Sequence, residues 1–171
     1  MNNPYEAPSA NLRSESDLSQ YQYVGFWVRT VAYIIDGIIV GLVSVPLLWL
    51  VLGDMGSAAG GDPLTMPASY WIISIGLPIL YTLFFWFTKK TTPGKMLFSS
   101  EIVDANTGGQ PSKGQFIIRY LGYIVSSLPF GLGFFWVGWD KRKQAWHDKM
   151  AGTVVIKPTA DPAKRVSFNQ P

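Results

Sequence analysis

The chain has 171 residues, of which 48% are hydrophobic and 15% charged, and its formal net charge is +3. This length has room for one domain, and the hydrophobic fraction is high for a soluble protein. Cysteine is absent, which excludes disulfides, iron–sulfur clusters and thiolate metal sites. The basic residues flank apolar segments and follow no soluble face, so we expect no nucleic acid as a partner.

The N-terminal segment, residues 1–20, is polar and contains Pro4 and Pro8. It is too poor in apolar residues to form a core, and it has no apolar stretch of the kind found in a cleavable signal peptide. We therefore expect a disordered cytoplasmic tail over residues 1–20, a membrane domain over residues 21–157 and a second disordered tail over residues 158–171.

Two apolar runs, at about residues 24–52 and 70–88, are long enough to cross a bilayer as helices. The charged residues within the first run are Arg29 and Asp36, and the second run has none. The connecting loop has aspartates but no lysine or arginine, whereas lysines closely follow the second run. The positive-inside rule therefore predicts an external loop and a cytoplasmic N-terminus.

A third apolar stretch, residues 116–139, has the length of a span but contains Pro129, Gly131 and Gly133 in its middle, where helices kink or break. A single crossing would also put the most basic part of the chain, residues 141–157, outside the cell. We therefore favour a broken, re-entrant segment that returns the C-terminus to the cytoplasm, with a full crossing as the alternative. At membrane depth such backbone must be buried in protein or line a wet cavity.

Two short segments on either side of this stretch have the composition of strands, residues 97–104 and residues 153–157. Lone short strands are stable mainly when they pair, so we expect a small cytoplasmic β-hairpin or strand pair. Residues 140–150 predict a short polar helix with Asp140 as its N-cap and Gly152 as its stop. The predicted fold class is an all-α integral membrane protein with two full transmembrane helices, a third broken or re-entrant segment and this pair of strands.

Arg29 and Asp36 are seven residues apart, which returns to within about 20° of the same helical face, and Tyr33 lies between them. An ionisable side chain near mid-membrane is costly unless it is paired or hydrated, which makes both residues candidates for ion or ligand handling. The alternative is structural. Arg29 would then extend to the interface, and Asp36 would hydrogen-bond another helix.

Gly37 and Gly41 give the first span a strip of small residues that allows close contact with another helix. Packing against the second span within the same chain is favoured over a face for dimer formation, because the four-residue spacing of two glycines is a weak motif by itself.

Three motifs occur in the order VRTVAYIIDGIIV, TPGK and HDKMAGTVVI, within residues 22–157. This pattern closely resembles the RDD family of bacterial membrane proteins, which is named for one arginine and two aspartates. They correspond here to Arg29, Asp36 and, from its place in the third motif, Asp148, with Asp140 as the less suitable match. The resemblance implies a multi-pass protein of the cell (inner) membrane, with transport of ions or small ligands as the suggested activity. It implies no catalytic mechanism.

The neighbouring residues His147 and Asp148 do not indicate an acid–base pair, because adjacent helical residues point about 100° apart. The chain holds a single histidine and no nucleophile or phosphate-loop motif. We therefore expect a protein that is not an enzyme and that uses no metal and no cofactor. The secondary candidates for a polar site are Tyr33, Arg119, Asp140 and His147.

Two functions remain open. In the first, a proton, cation or small ligand is transported while Asp36 exchanges partners with Arg29 and Asp148. Two spans and a re-entrant segment cannot enclose a pathway alone, so transport requires a homo-oligomer or a membrane partner protein. In the second, the protein is a non-transporting assembly or binding module, its arginines and aspartates form a structural network, and its basic face contacts anionic lipid. The lipid bilayer is a partner in both.

Topology is testable with reporters that are active only in the cytoplasm. Fusions after residues 20, 105 and 157 should be active, and an insertion near residue 58 should be inactive, because the lysine-rich flanks are retained inside. An inactive fusion after residue 157 would contradict the re-entrant third segment.

Overall fold

The computed structural model of the protein describes residues 20–53 and 65–166. The predictions for the tail over residues 1–19, for most of the connecting loop and for residues 167–171 lie outside the described residues.

Two long helices carry the apolar runs of the sequence. Helix α1 (Phe26–Leu52) and helix α2 (Ala68–Lys89) are both long and apolar enough to cross a membrane, as predicted. Helix α1 ends at Gly53, whose left-handed backbone (φ 71°) lets its N–H donate to the carbonyl of Trp49. Helix α2 contains a π-helical turn, Ile72–Gly76, that ends two residues before Pro78, which lacks the N–H that an α-helix would use there.

The outer surface of α1 is apolar. Leu42 and Leu50 are 72% and 78% exposed, and none of the most apolar part of this helix is buried within the chain. An exposed apolar surface of this kind is typical of a helix that contacts lipid.

The one-turn helix α3 (Pro93–Met96) begins within the TPGK motif, with Thr92 as its N-cap, and packs closely on α1. A Cβ atom on Gly94 would overlap the carbonyl oxygen of Ala32, so only glycine allows this approach. Gly37 and Gly41 behave differently, because a Cβ atom on either would meet no atom of the described residues within 4 Å. The prediction that this strip packs against the second span is therefore wrong, since α1 makes its close contact at Ala32.

Three short strands form one antiparallel sheet in the order β1–β3–β2: β1 (Tyr21–Tyr23), β2 (Glu101–Asp104) and β3 (Thr153–Pro158). Strands β2 and β3 lie side by side, with Ile102 opposite Val155. They are not a hairpin, because three helices lie between them in the chain. A third strand, β1, extends the expected pair, and its residues were not predicted as a strand.

The middle strand, β3, is buried on both faces, which explains its continuous apolar run. Val154 and Ile156 pack on one side with Val103 and Val166. On the other side, Val155 joins a second cluster that includes Trp86 and Phe116, which ties the sheet to the membrane helices.

The folded chain continues past residue 157. The N–H of Val166 donates to the carbonyl of Tyr21 at 2.9 Å, and the N–H of Thr159 donates to that of Gln20 at 2.7 Å. Val166 is also buried in the first cluster. A disordered tail starting at residue 158 is therefore wrong for residues 158–166, because these backbone bonds and one apolar contact hold them on β1.

The third apolar stretch forms two helices, α4 (Lys113–Ser127) and α5 (Leu132–Phe135), the second of which continues as a 3₁₀ turn to Gly138. The two pieces are bent by 114° at the break. The break contains Pro129 and Gly131, and the left-handed Gly131 (φ 76°) starts the second piece. Helix α4 begins earlier than predicted, at a capping box in which the hydroxyl of Ser112 accepts from the N–H of Gln115.

Helix α6 (Trp146–Ala151) ends at Gly152, as expected, but it does not begin at Asp140. The side chain of Asp140 accepts from the N–H groups of Arg142 at 3.0 Å and Gln144 at 3.1 Å. These bonds hold a turn before the helix, so the predicted N-cap is wrong and the helix is shorter than residues 140–150.

The Gly94→Ala variant should be destabilised by about 1–3 kcal/mol or more, because the added methyl group must displace the α1 backbone. Thermal unfolding in an uncharged detergent measures this. The matched control is Gly41→Ala, where open space leaves only the gain in helix propensity of about 0.5–1 kcal/mol. Equal unfolding midpoints for the two variants would contradict the close contact between α1 and α3.

Candidate functional site

The carboxylate of Asp148 is fully buried where α1, α4 and α6 meet. One of its oxygens pairs with the guanidinium group of Arg29 and the other with that of Arg119. The N–H of Ala145 also donates to it at 3.1 Å, which caps the start of α6. One side chain therefore joins the first membrane helix, the broken segment and the C-terminal motif.

Arg29 makes two further bonds to backbone carbonyls. Its Nε–H donates to Val24 at 3.0 Å, and an η nitrogen donates to Lys143 at 2.7 Å. The side chain is 12% exposed. Arg29 therefore points inward to Asp148 and does not extend to the interface, which was the structural alternative for this residue.

Arg119 belongs to this cluster as fully as Arg29 does, because both arginines pair with Asp148. The sequence suggested Arg119 only as a secondary candidate. It is 1% exposed, donates to the hydroxyl of Thr153 at 2.8 Å and lies 5.4 Å from the centroid of the Trp86 ring. An arginine in the middle of an apolar stretch was the signal available, and the rule applied to Arg29 applies equally to it.

The two guanidinium groups determine the charge of Asp148. Burial by itself raises the pKa of this carboxyl group, but Arg119 and Arg29 lower it well below its ordinary value. Asp148 is therefore ionised at neutral pH, and the cluster of two arginines and one aspartate carries a net positive charge.

His147 belongs to the same region in its neutral form. Burial lowers its pKa well below the ordinary value, and the ring packs edge-on against Tyr123 with centroids 4.4 Å apart. The hydroxyl of Ser126 accepts from the N–H of His147 and lies 3.2 Å from its Nδ1. Its Nε2 lies 3.6 Å from Asp148, closer than expected for neighbours on a helix but too long for a hydrogen bond.

Asp36 forms a second, separate cluster. Its carboxylate accepts from the hydroxyl of Tyr81 on α2 at 2.9 Å, from the N–H of Gly94 on α3 at 2.7 Å and from the hydroxyl of Thr92. No ion pair joins it to Arg29 within the part of the chain that the structure describes. The geometry is that of the structural alternative, in which Asp36 hydrogen-bonds another helix.

The sequence does not mark Lys95 as a site residue, because it is one of several lysines that closely follow the second apolar run. Its Nζ lies 5.6 Å from the centroid of the Trp86 ring and faces the same space as the arginines. Burial, together with Arg119 and Arg29, lowers the pKa of Lys95 to about 7. No spacing rule signals this, because the position follows from the packing of α3 on α1.

These residues surround a cavity of about 430 Å³ between α1 and the broken segment. Its charged lining is Arg29, Asp36, Lys95 and Arg119. The remaining wall is mostly aromatic and includes Phe26, Tyr33, Tyr123, Phe134 and Phe135. Asp140 lies outside this group and pairs with Lys149 instead.

Replacing Asp148 by Asn keeps its shape but leaves two buried arginines without their anion. We expect the free energy of unfolding in detergent to fall by about 3–5 kcal/mol, as for other broken buried ion pairs. The control is Asp161→Asn, whose carboxylate pairs with Lys164 on the surface and should leave the unfolding midpoint unchanged.

The pH dependence of the same comparison follows from the pKa of Asp148. The folded-state pKa is lower than the ordinary value of 3.8, so the stabilisation is complete above that value and is lost as the pH falls toward the folded-state pKa. Between about pH 8 and 5 the difference between wild type and Asp148→Asn should increase modestly, because Asp148 also stabilises the protonated form of Lys95. Below about pH 4 the difference should shrink as Asp148 itself is protonated, and a difference that keeps growing there would contradict the ionised carboxylate.

Comparison with known proteins identifies the family of this chain. The RDD family model matches residues 23–152. An uncharacterized protein of Rickettsia prowazekii (strain Madrid E) is 46% identical over 77 residues, which cover 45% of this chain and 42% of that relative. The uncharacterized protein YxaI of Bacillus subtilis (strain 168) is 30% identical over 146 residues, which cover 77% of this chain and 95% of that relative. No solved structure matches. Because the family model spans both apolar helices, the first two motifs and the first six residues of the third, the chain is a membrane protein of the RDD family.

Proposed function

We propose that this protein is a non-transporting binding module of the membrane, in which the arginines and aspartates hold a ligand cavity in shape. The observation that supports this most is the bonding of Asp148, whose two oxygens are committed to Arg29 and Arg119 beside the cavity. A buried carboxylate that pairs with two guanidinium groups is suited to fixing a geometry, because breaking a buried ion pair costs about 3–5 kcal/mol.

Asp36 supports the same function. Its three donors come from α2 and from the TPGK motif, so it holds the second membrane helix and this motif against α1. A transport cycle in which Asp36 exchanges partners with Arg29 and Asp148 would require it to leave all three donors. Such an exchange is costly for a carboxylate at membrane depth.

The proposal includes a location and a topology. The 114° bend between α4 and α5 supports a re-entrant third segment, and the basic flanks support a sheet and two termini on the cytoplasmic side of the cell membrane. A binding module needs no oligomer, but the open strip at Gly37 and Gly41 offers a surface for a second copy or a membrane partner. We propose no catalysed reaction.

The second candidate function is transport of a proton, cation or small ligand, and one observation favours it. Asp36 lines the same cavity as Lys95, whose lowered pKa allows proton exchange near neutral pH. The positive groups on the same wall oppose a metal cation, so this candidate is the weaker one.

Bound molecules test the binding function directly. The protein, extracted in a mild detergent, should release a co-purified amphiphile in native mass spectrometry. Thr30→Phe should lose it, because Thr30 lines the cavity and the ring fills part of the space. The matched control is Thr88→Phe, since both threonines donate to the carbonyl four residues before them and Thr88 is exposed. A wild-type protein without a bound amphiphile, or equal amounts of bound amphiphile on both variants, would overturn the binding function.

Transport is tested in proteoliposomes by following internal pH under imposed Na⁺ or K⁺ gradients. The wild type should give no flux above that of empty liposomes. A flux that disappears in Asp36→Asn but persists in Asp161→Asn would reject the non-transporting module and support the second candidate.

A further inference from the structure

We infer that the cavity binds an anionic amphiphile, with a phosphate or carboxylate head group at Lys95 and the arginines and an apolar chain toward Tyr33 and Phe135. This inference rests on the proposed binding function, which it makes specific. Three features carry it: the charge balance of the cavity, the unpaired Lys95 and the aromatic mouth.

With Lys95 protonated, the charge balance leaves one positive charge at the cavity. Arg29, Lys95 and Arg119 then contribute three positive charges, against two negative ones from Asp36 on the wall and from Asp148, which pairs with the arginines behind it. Both carboxylates are already bonded, as described above, so neither has to be released to neutralise the third cation. A single bound anion would complete the neutralisation, which is favourable in a partly desolvated site.

Lys95 is the cation without a counter-ion. In the ranges 20–53 and 65–166, no carboxylate forms an ion pair with it, and its neighbour is the face of the Trp86 ring. Its depressed pKa is the expected consequence of burial beside two guanidinium groups. The Nζ of Lys95 therefore lacks the acceptor that a phosphate or carboxylate group in the cavity would supply.

The mouth of the cavity is apolar. Tyr33 and Phe135 line the cavity and are also 76% and 48% exposed, so they lie where it opens to the outside. Phe26 stacks on Phe135 with centroids 5.1 Å apart and extends this aromatic rim. Trp27, next along α1, is exposed, as is typical of residues at the membrane interface, where lipid head groups lie.

The size of the cavity limits the ligand. A volume of about 430 Å³ is within the range of about 300–1,000 Å³ found for small-molecule sites. It is sufficient for a head group and the first part of a chain, and the rest of the chain would lie along the exposed apolar side chains of α1.

The test uses the full-length protein in nanodiscs that contain equal amounts of phosphatidylglycerol and phosphatidylcholine with identical acyl chains. Native mass spectrometry should show retained phosphatidylglycerol in clear excess over phosphatidylcholine. Lys95→Met should reduce this preference at least about tenfold, as expected for the loss of a charge-assisted hydrogen bond. Lys95→Arg keeps the charge and should retain the preference, and Lys113→Met removes an exposed lysine away from the cavity and should change nothing.

A second experiment distinguishes a membrane lipid, a free fatty acid and inorganic phosphate as the source of the anion. Unfolding midpoints are measured in an uncharged detergent with oleate, oleyl alcohol or inorganic phosphate added. A stabilisation by oleate alone that is lost in Lys95→Met supports the inference with a free fatty acid as the source. Stabilisation by inorganic phosphate equal to that by oleate would overturn the inference that the ligand is an amphiphile.

The outcomes distinguish this inference from the proposed function. Equal retention of the two lipids, together with equal effects of oleate and oleyl alcohol, would overturn the anion preference while leaving a binding module. A protein that retains no lipid and responds to no amphiphile would overturn both.

Discussion

The pairing of one buried carboxylate with two arginines is the interaction on which the rest of the structure depends. Asp148 lies on a helix of only six residues, yet it joins the start of the first membrane helix to the middle of α4. Thr153, at the start of the central strand, is bonded to Arg119. The sheet and the membrane helices are therefore held in register by the same polar cluster.

The cluster also explains why polar residues are tolerated next to apolar helices. A charge at membrane depth is unfavourable by itself, but the two arginines share one aspartate, and Arg29 also donates to two backbone carbonyls inside the protein. Asp36 follows the same principle with neutral donors from Tyr81, Thr92 and Gly94. The space between the two clusters is the cavity, so the positions of its walls are set by bonds that do not involve a ligand.

The sequence predicted what depends on local composition. Apolar runs of sufficient length gave α1 and α2, and Pro129 with its neighbouring glycines gave the break between α4 and α5. The motif match gave Arg29, Asp36 and Asp148. The sequence did not predict which groups pair, because the partners of Asp36 lie 45 to 58 residues further along the chain. Arg119, Lys95 and β1 were undervalued for the same reason, since each gains its role only from distant packing.

The separation between Arg29 and Asp148 has a consequence for biogenesis. The two residues are 119 positions apart, so the arginine leaves the ribosome long before its anion exists. At about 5–20 residues per second, the delay is roughly 6–24 s. During this time α1 carries an uncompensated cation and must be retained by the insertion machinery or held near the membrane surface. The fold is therefore completed only after Asp148 has been synthesised, and a chain truncated before this residue would keep Arg29 without its carboxylate partner.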